Sequence, residues 1–323
     1  MKKFKRVVRL ALFLFTIFAC VWIFSTAPQH ALPDKDLPLI FYSNHTRHNL
    51  HKLFLRAIRE TRSSLSLTIY ALTDPEIRTL LAQKSVAGIK TKILYDPSAT
   101  PPLEIATSKP VEMSRGLMHR KILILDHEKV LLGSANLTAT SLKAHDNLVA
   151  ALYHPGLANF LGENESGSHL FSLGKTKGEL WLLPSERAQA RLIEEIDHAK
   201  EKIYVAMFTL THPLLTEALI SAHKRGVDVR VALDHYTAEG ASAPVLKQLR
   251  ESGIPLFLSQ GQQLFHHKWA WIDRSTFILG SANWTRAAFT QNQDCLMILH
   301  HLKFKHKKQL EKIWNIIEKE SIN

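Results

Sequence analysis

Two segments of this sequence carry the same chemically able side chains at the same spacing. The first reads His119-Arg-Lys121-Ile-Leu-Ile-Leu-Asp126, followed after six residues by Gly133-Ser134-Ala-Asn136. The second reads His266-His-Lys268-Trp-Ala-Trp-Ile-Asp273, followed by Gly280-Ser281-Ala-Asn283. On a strand, residues two apart share a face, so His119 and Lys121 project together, as do His266 and Lys268. Ser134 with Asn136 and Ser281 with Asn283 repeat that geometry. If the two copies pack about a pseudo-twofold axis, two imidazoles, two ammonium groups and two amides converge on one phosphate-sized volume, which suits cleavage of a phosphodiester. Lys121, Lys268, Asn136 and Asn283 supply positioned donors for an anionic, five-coordinate phosphorus. The two histidines supply a nucleophile and an acid, provided their surroundings push their pKa values apart. A lone His in an apolar β-rich run is usually a satisfied core residue, but that account does not explain duplicated His-x-Lys with matching Gly-Ser-x-Asn.

The elements that must position these residues are duplicated as well. Tyr70 to Pro75 aligns with Phe208 to Pro213, Gly88 with Gly226 and Asp96 with Asp234 at a constant offset of 138, which becomes 147 at the motifs. Nine extra residues therefore lie near Thr237 to Gln263. Phe54 to Thr61 and Arg191 to Lys200 have helical apolar spacing and run into the β-rich segments Leu65 to Tyr70 and Ile203 to Phe208. Helices starting at Pro75 and Pro213 should stop at Gly88 and Gly226, before strands Lys92 to Tyr95 and Val229 to Leu233. The order βαβ implies parallel pairing with helical crossovers. The predicted fold class is α/β: two similar α/β domains, each with a mixed, mostly parallel sheet flanked by helices. The halves span 38–160 and 175–320, with the glycine-bearing segment Pro155 to Lys177 as the joint between them.

The paired motifs resemble the His-x-Lys-x4-Asp pairs of the phospholipase D superfamily, over roughly Leu39 to His300. The resemblance implies one active site at a pseudo-twofold interface, a covalent phosphohistidine, and no metal or cofactor. It also implies that Asn147 and Asp294, each 28 residues after a motif histidine, orient the imidazoles. A carboxylate favours the imidazolium, so Asp294 is expected beside His266 as the acid, leaving His119, beside the neutral Asn147, as nucleophile. Members with both motifs on one chain divide the roles in this way. The usual residue at position 147 is acidic, which makes the adjacent Asp146 an alternative partner. Asp126 and Asp273 read as structural, satisfying donors near the turn after each motif strand, and Ser134 and Ser281 as supporting residues.

Composition narrows the partners. Forty-one Lys and Arg against 29 Asp and Glu give a net charge of +12, which favours phospholipid surfaces or nucleic acid. Two cysteines exclude a disulfide framework and a cysteine-based zinc site. His45, His48 and His51 stand at three-residue spacing, but with no acidic or thiol ligand nearby they read as surface histidines. A basic segment precedes an uncharged run from Leu10 to Ala27, so residues 1–28 read as a signal peptide or membrane anchor, with anchor preferred. The rest is then exported and faces outward, or is periplasmic or secreted after cleavage. A last basic helix, about Leu302 to Ile317, is either a solvated face or a contact with anionic lipid or nucleic acid. Phospholipid hydrolysis is the leading expectation. A metal-independent nuclease, a phosphatidyl transferase of the cardiolipin synthase kind and a non-enzymatic binding module are the alternatives. Two motifs on one chain make a monomer sufficient.

Overall fold

In a computed structural model, the structure is described for residues 31–322; the expected anchor at residues 1–28 lies outside them. The first half opens with the edge strand β1 (Leu39–Ser43) and a 3-10 turn at Asn44–Thr46. Helix α1 (Leu50–Glu60) starts where the Asn49 side chain accepts the Lys52 N–H, and it buries Leu50, Leu53, Phe54, Ala57 and Ile58 at helical spacing. It leads into β2 (Ser64–Ile69), the Pro-started α2 (Pro75–Val86), β3 (Lys90–Tyr95) and the short β4 (Ser108–Pro110). Next come β5 (Lys121–Leu125), β6 (Lys129–Gly133), α3 (Ala139–Lys143) and β7 (Leu148–Tyr153).

The segment Pro155 to Lys177, expected as a loose joint, is structured. It forms α4 (Pro155–Glu163) and β8 (Gly167–Leu173), which pairs with β9 (Thr176–Leu182) in the second sheet. The second sheet therefore begins before residue 175. Its glycines serve a tight hairpin and a close packing contact, where a Cβ on Gly178 would lie 2.2 Å from the Phe171 ring. The second half continues with α5 (Glu186–Asp197), β10 (Lys202–Met207), α6 (Pro213–Lys224) and β11 (Asp228–Leu233). The region of the extra residues carries α7 (His235–Glu239), α8 (Ala243–Glu251) and β12 (Leu256–Leu258). The chain ends with β13 (Lys268–Ile272), β14 (Thr276–Gly280), α9 (Arg286–Thr290), β15 (Cys295–His300) and α10 (Phe304–Glu320).

Two mixed sheets result, ordered β1-β7-β6-β5-β2-β3-β4 and β12-β11-β10-β13-β14-β15-β9-β8. Seven strands of each sheet follow one common order, β1 matching β9, and β8 is the extra strand of the second sheet. The expectation of mostly parallel pairing is corrected: only β2–β3, β3–β4, β10–β11 and β11–β12 are parallel. Helical crossovers join the parallel neighbours β2–β3, β10–β11 and β11–β12. From the motif strand onward, a tight turn and then a connection carrying the short helix α3 or α9 join successive strands, and these neighbours pair antiparallel.

The sheets share a core between them, where Phe41, Ile122, Ile124, Trp269, Trp271 and Phe277 meet. Each sheet packs its other face on its own helices, with Leu67, Leu123 and Leu131 on one side and Val205, Ala270 and Ile278 on the other. Burial on both faces explains why β5 and β13 read as unbroken apolar runs rather than alternating ones. Residues from Leu32 onward form one compact unit.

Candidate active site

Each motif strand starts at its lysine, so the histidine stands just ahead of the first ladder residue. Its position is held from the end of the strand one beyond the motif strand's neighbour. Asp96, at the end of β3, accepts the Met118 N–H at 3.0 Å, and Asp234, at the end of β11, accepts the Phe265 N–H at 2.9 Å. These aspartates were visible as duplicated landmarks, but nothing in their spacing gave them that role.

The motif side chains are buried: His119 and His266 are 7% exposed, Lys121 and Lys268 3%. Each ammonium donates to the carbonyl of its own histidine, Lys121 at 2.8 Å and Lys268 at 3.1 Å. Each also lies over an aromatic ring, Tyr70 at 5.1 Å and Phe208 at 4.9 Å. The same rings meet the imidazoles, with Tyr70 and Phe208 both at 5.0 Å from His119 and His266 respectively. Tyr70 and Phe208 were aligned as repeat landmarks without a site role.

The imidazole partners cross between the halves. His119 Nδ1 lies 2.8 Å from Asp294 Oδ1, and His266 Nδ1 lies 3.1 Å from Asn147 Oδ1. This corrects the expectation that Asp294 orients His266 and Asn147 orients His119. The halves pack with the motif segment of one against the last strand of the other: the His119 N–H donates to the Gln293 carbonyl at 2.8 Å and the Asp146 N–H to the Leu264 carbonyl at 3.0 Å. Asp146 is not the alternative partner, because its carboxylate faces His45 Nε2 at 3.5 Å.

The serines hold these partners in place. Ser281 Oγ donates to Asp294 Oδ1 at 2.6 Å while accepting the Cys295 N–H, and Ser134 Oγ donates to Asn147 Oδ1 at 2.8 Å while accepting the Leu148 N–H. Asn147 Nδ2 donates to the Ser141 carbonyl at 2.8 Å, which turns its oxygen toward His266. Both Nδ1 atoms therefore carry the proton, and both Nε2 atoms are left for chemistry. The glycines ahead of the serines permit this approach: a Cβ on Gly133 would lie 2.2 Å from the Leu148 carbonyl oxygen, and one on Gly280 2.1 Å from that of Cys295. Asn136 and Asn283 follow two residues on, each with a buried Oδ1 lacking a hydrogen-bond partner among the described residues.

Asp126 and Asp273 bind backbone rather than the motif histidines and lysines. Each occupies the first left-handed position of a hairpin turn, at φ 53° and 50°, followed by a second left-handed residue. Asp126 accepts the N–H groups of Arg62, Ser63 and Ser64, and Asp273 those of Lys200, Glu201 and Lys202. Those contacts offset the turn strain and anchor the motif strand to the start of its neighbour.

Electrostatics separate the two imidazoles. Burial pushes the His119 pKa down and Lys121 adds to that, while Asp294 pulls it back up. His266 is held well below the usual value by burial and by Lys268, Lys121 and His119, and its own hydrogen-bond partner is a neutral amide. Burial lowers Lys121 to about 7 and Lys268 well below its usual value. Burial disfavours the Asp294 charge, but His119, Lys121 and Ser281 outweigh it and keep the carboxyl ionised. Charges from each half act on the histidine of the other, so the motifs share one cationic volume made for an anion.

The middle motif residues were not singled out, yet both tie the halves together. Arg120 donates to the carbonyls of Glu165 and Leu183, and His267 pairs with His45 at 2.9 Å. His45 and His51 are correspondingly buried rather than on the surface, with His51 3.2 Å from Asp74. Among the described residues no group of three or more His, Cys, Asp or Glu is arranged to hold a metal.

A family model described as "Cardiolipin synthase, PLD-like domain" matches residues 54–164 and 192–315, one segment in each half. The chain belongs to this phospholipase D-like family. It is 33% identical over 132 residues to human mitochondrial cardiolipin hydrolase, covering 40% of this chain and 52% of that one. It is 33% identical over 108 residues to a phospholipase D of Rickettsia felis, covering 33% of this chain and 54% of the relative. The chain thus spans about half the length of these curated relatives. A Haemophilus influenzae phosphatidylserine synthase shares the fold, with a TM-score of 0.71 at 14% identity over 90% of this chain and 88% of that one.

Proposed function

We propose that this phospholipase D-like chain is a phosphodiesterase that hydrolyses phospholipids through a phosphohistidine on His119. The observation that carries the assignment is the crossed contact between His119 and Asp294. When His119 Nε2 attacks phosphorus, its ring keeps the Nδ1 proton and becomes a cation for the lifetime of the intermediate. A buried cation needs a permanent counter-charge, and Asp294 supplies one. The anionic phosphodiester, once bound among Lys121, Lys268 and the two imidazoles, raises the His266 pKa so that its ring takes up a second proton at Nε2. His266 gives that proton to the leaving headgroup oxygen and becomes neutral again, a state its amide partner Asn147 satisfies. Water then attacks phosphorus, His266 takes its proton, and the bond to His119 Nε2 breaks to release phosphatidic acid. Lys121, Lys268, Asn136 and Asn283 neutralise the equatorial oxygens throughout. His119 remains the nucleophile, as expected from the sequence, but for a different reason than the one first available.

Both motifs lie in one chain, so a monomer suffices. The basic amino terminus and the apolar run after it support a membrane-tethered enzyme facing outward. Among the described residues no helix is long and apolar enough to cross a membrane.

The test offers labelled phosphatidylcholine, cardiolipin and single-stranded DNA to the full chain in detergent micelles, with chelator present. Release of phosphatidic acid or free headgroup, lost in both His119→Ala and His266→Ala, is the expected result. DNA cleavage with the same dependence would make the chain a nuclease instead. Exchange of headgroup alcohols without hydrolysis would make it a transferase.

A further inference from the structure

Helix α10 meets edge strand β1 beside a groove of about 850 Å³ that the proposed reaction does not use. Helix and strand are stitched through the strand's open edge: His306 Nε2 lies 3.1 Å from the Leu39 carbonyl, and Gln309 donates to the Phe41 carbonyl at 2.8 Å. Half-buried Ile40 and Ile316 contribute an apolar floor. Lys305, Lys308, Lys312 and Lys319 line the wall, a spacing that puts them on one stripe of the helix next to its buried face. None of the four makes an ion pair among the described residues; of the neighbouring acids, Glu311, which also lines the groove, is engaged by Arg274 and Glu318 by Arg230, while Glu320 faces His45. Phe304, at the start of the helix, is 80% exposed.

We infer that this groove is a docking surface for anionic phospholipid headgroups at a membrane surface, separate from the phosphodiester site. The lysine stripe meets headgroup phosphates, while the isoleucine floor and Phe304 suit the boundary between headgroups and acyl chains. Nucleic acid matches less well. The stripe offers point charges rather than arginine forks, and Phe41 is packed edge-on against Phe277 and His306, with no open face for a base. Eleven residues separate the apolar run ending at Ala27 from β1, and Ile40 of β1 lines the groove. A membrane-inserted run would hold the groove within roughly 40 Å of the bilayer.

Amine-reactive labelling of the full chain, read by mass spectrometry, tests the inference. The chain is reconstituted into vesicles of phosphatidylcholine alone or mixed with phosphatidylglycerol. Labelling of Lys305, Lys308, Lys312 and Lys319 should fall several-fold in the phosphatidylglycerol vesicles and recover at high salt, while exposed Lys247 on α8 stays constant. In Lys308→Gln/Lys312→Gln, protection of Lys305 and Lys319 should disappear with the unfolding midpoint unchanged. Equal labelling in both vesicle types would overturn the inference, as would protection by single-stranded DNA in place of lipid. The readout is occupancy rather than turnover, so it stands or falls independently of the phosphodiesterase assignment.

Discussion

The imidazole of His119 and the carboxylate of Asp294 meet at 2.8 Å although 175 residues separate them. Asp294→Asn keeps the shape of the contact but removes the counter-charge and frees the imidazole to take the wrong tautomer. The expected loss in kcat is roughly two to four orders of magnitude, by analogy with the same change in a serine protease triad, with little change in KM. Steady-state kinetics decide it, and a variant within a few-fold of the parent would remove Asp294 from the mechanism.

Asn147→Asp tests the other pairing. A carboxylate at His266 Nδ1 raises the imidazole pKa, so the protonated acid persists to higher pH and the alkaline limb of kcat/KM moves up by about one unit or more. The new oxygen also faces the Ser141 carbonyl that Asn147 Nδ2 now serves at 2.8 Å, at a stability cost of about 1–3 kcal/mol. A pH–rate profile and a denaturant titration on the same variant should show both effects together.

Rapid quenching during turnover should trap the phosphoryl group on His119. Peptide mapping of the quenched protein reads the site directly. A modified His266 with His119 unmodified would reverse the assignment of roles.

Asp126→Ala should destabilise the fold by about 2 kcal/mol while leaving kcat of the folded enzyme nearly unchanged, because the residue caps backbone donors rather than touching substrate. Burial works against its charge, but the N–H groups and hydroxyl it accepts hold its pKa below the usual value. That stabilisation is therefore present above the unfolded-state pKa and is lost as pH falls through the folded one. Thermal unfolding of parent and variant should converge at low pH.

Burial holds the His306 pKa at about 4, with the Leu39 carbonyl opposing and Lys305 and Lys303 reinforcing the shift. The unfolded chain takes up this proton first, so stability is complete above about pH 6.5 and falls by up to about 3 kcal/mol as pH drops toward 4. His306→Gln, which retains a donor for Leu39, should flatten that fall in denaturant titrations at pH 4.5 and 7. An unchanged slope would place the acid sensitivity in other buried imidazoles such as His45.

Much of the scaffold was legible in the residues. Proline starts and glycine stops marked α2 and α6, and β-branched and aromatic runs marked the strands, because those signals act through local backbone sterics. The strand directions were misjudged where a single βαβ step was extended to a whole sheet. Helix α4 and β8 were missed because Gly156, Gly162, Gly167 and Gly174 read as linker glycines, although the first two lie in the helix, the third starts the strand and the fourth turns a tight hairpin. The aromatic platforms Tyr70 and Phe208 were visible only as repeated letters.

The sequence by itself determined which groups could meet a phosphate. The two-residue period of a strand puts His119 with Lys121 and His266 with Lys268 on common faces, whatever the strands pack against. It could not determine which half supplies each imidazole's partner, since Asn147 and Asp294 stand at the same distance along the chain from their own histidines. Only the packing of one half's motif segment against the other half's last strand decided that. The crossing places the Asp294 carboxylate beside His119 and leaves His266 with the Asn147 amide, and this difference in charge, set by tertiary structure, makes two nearly identical motifs chemically unequal.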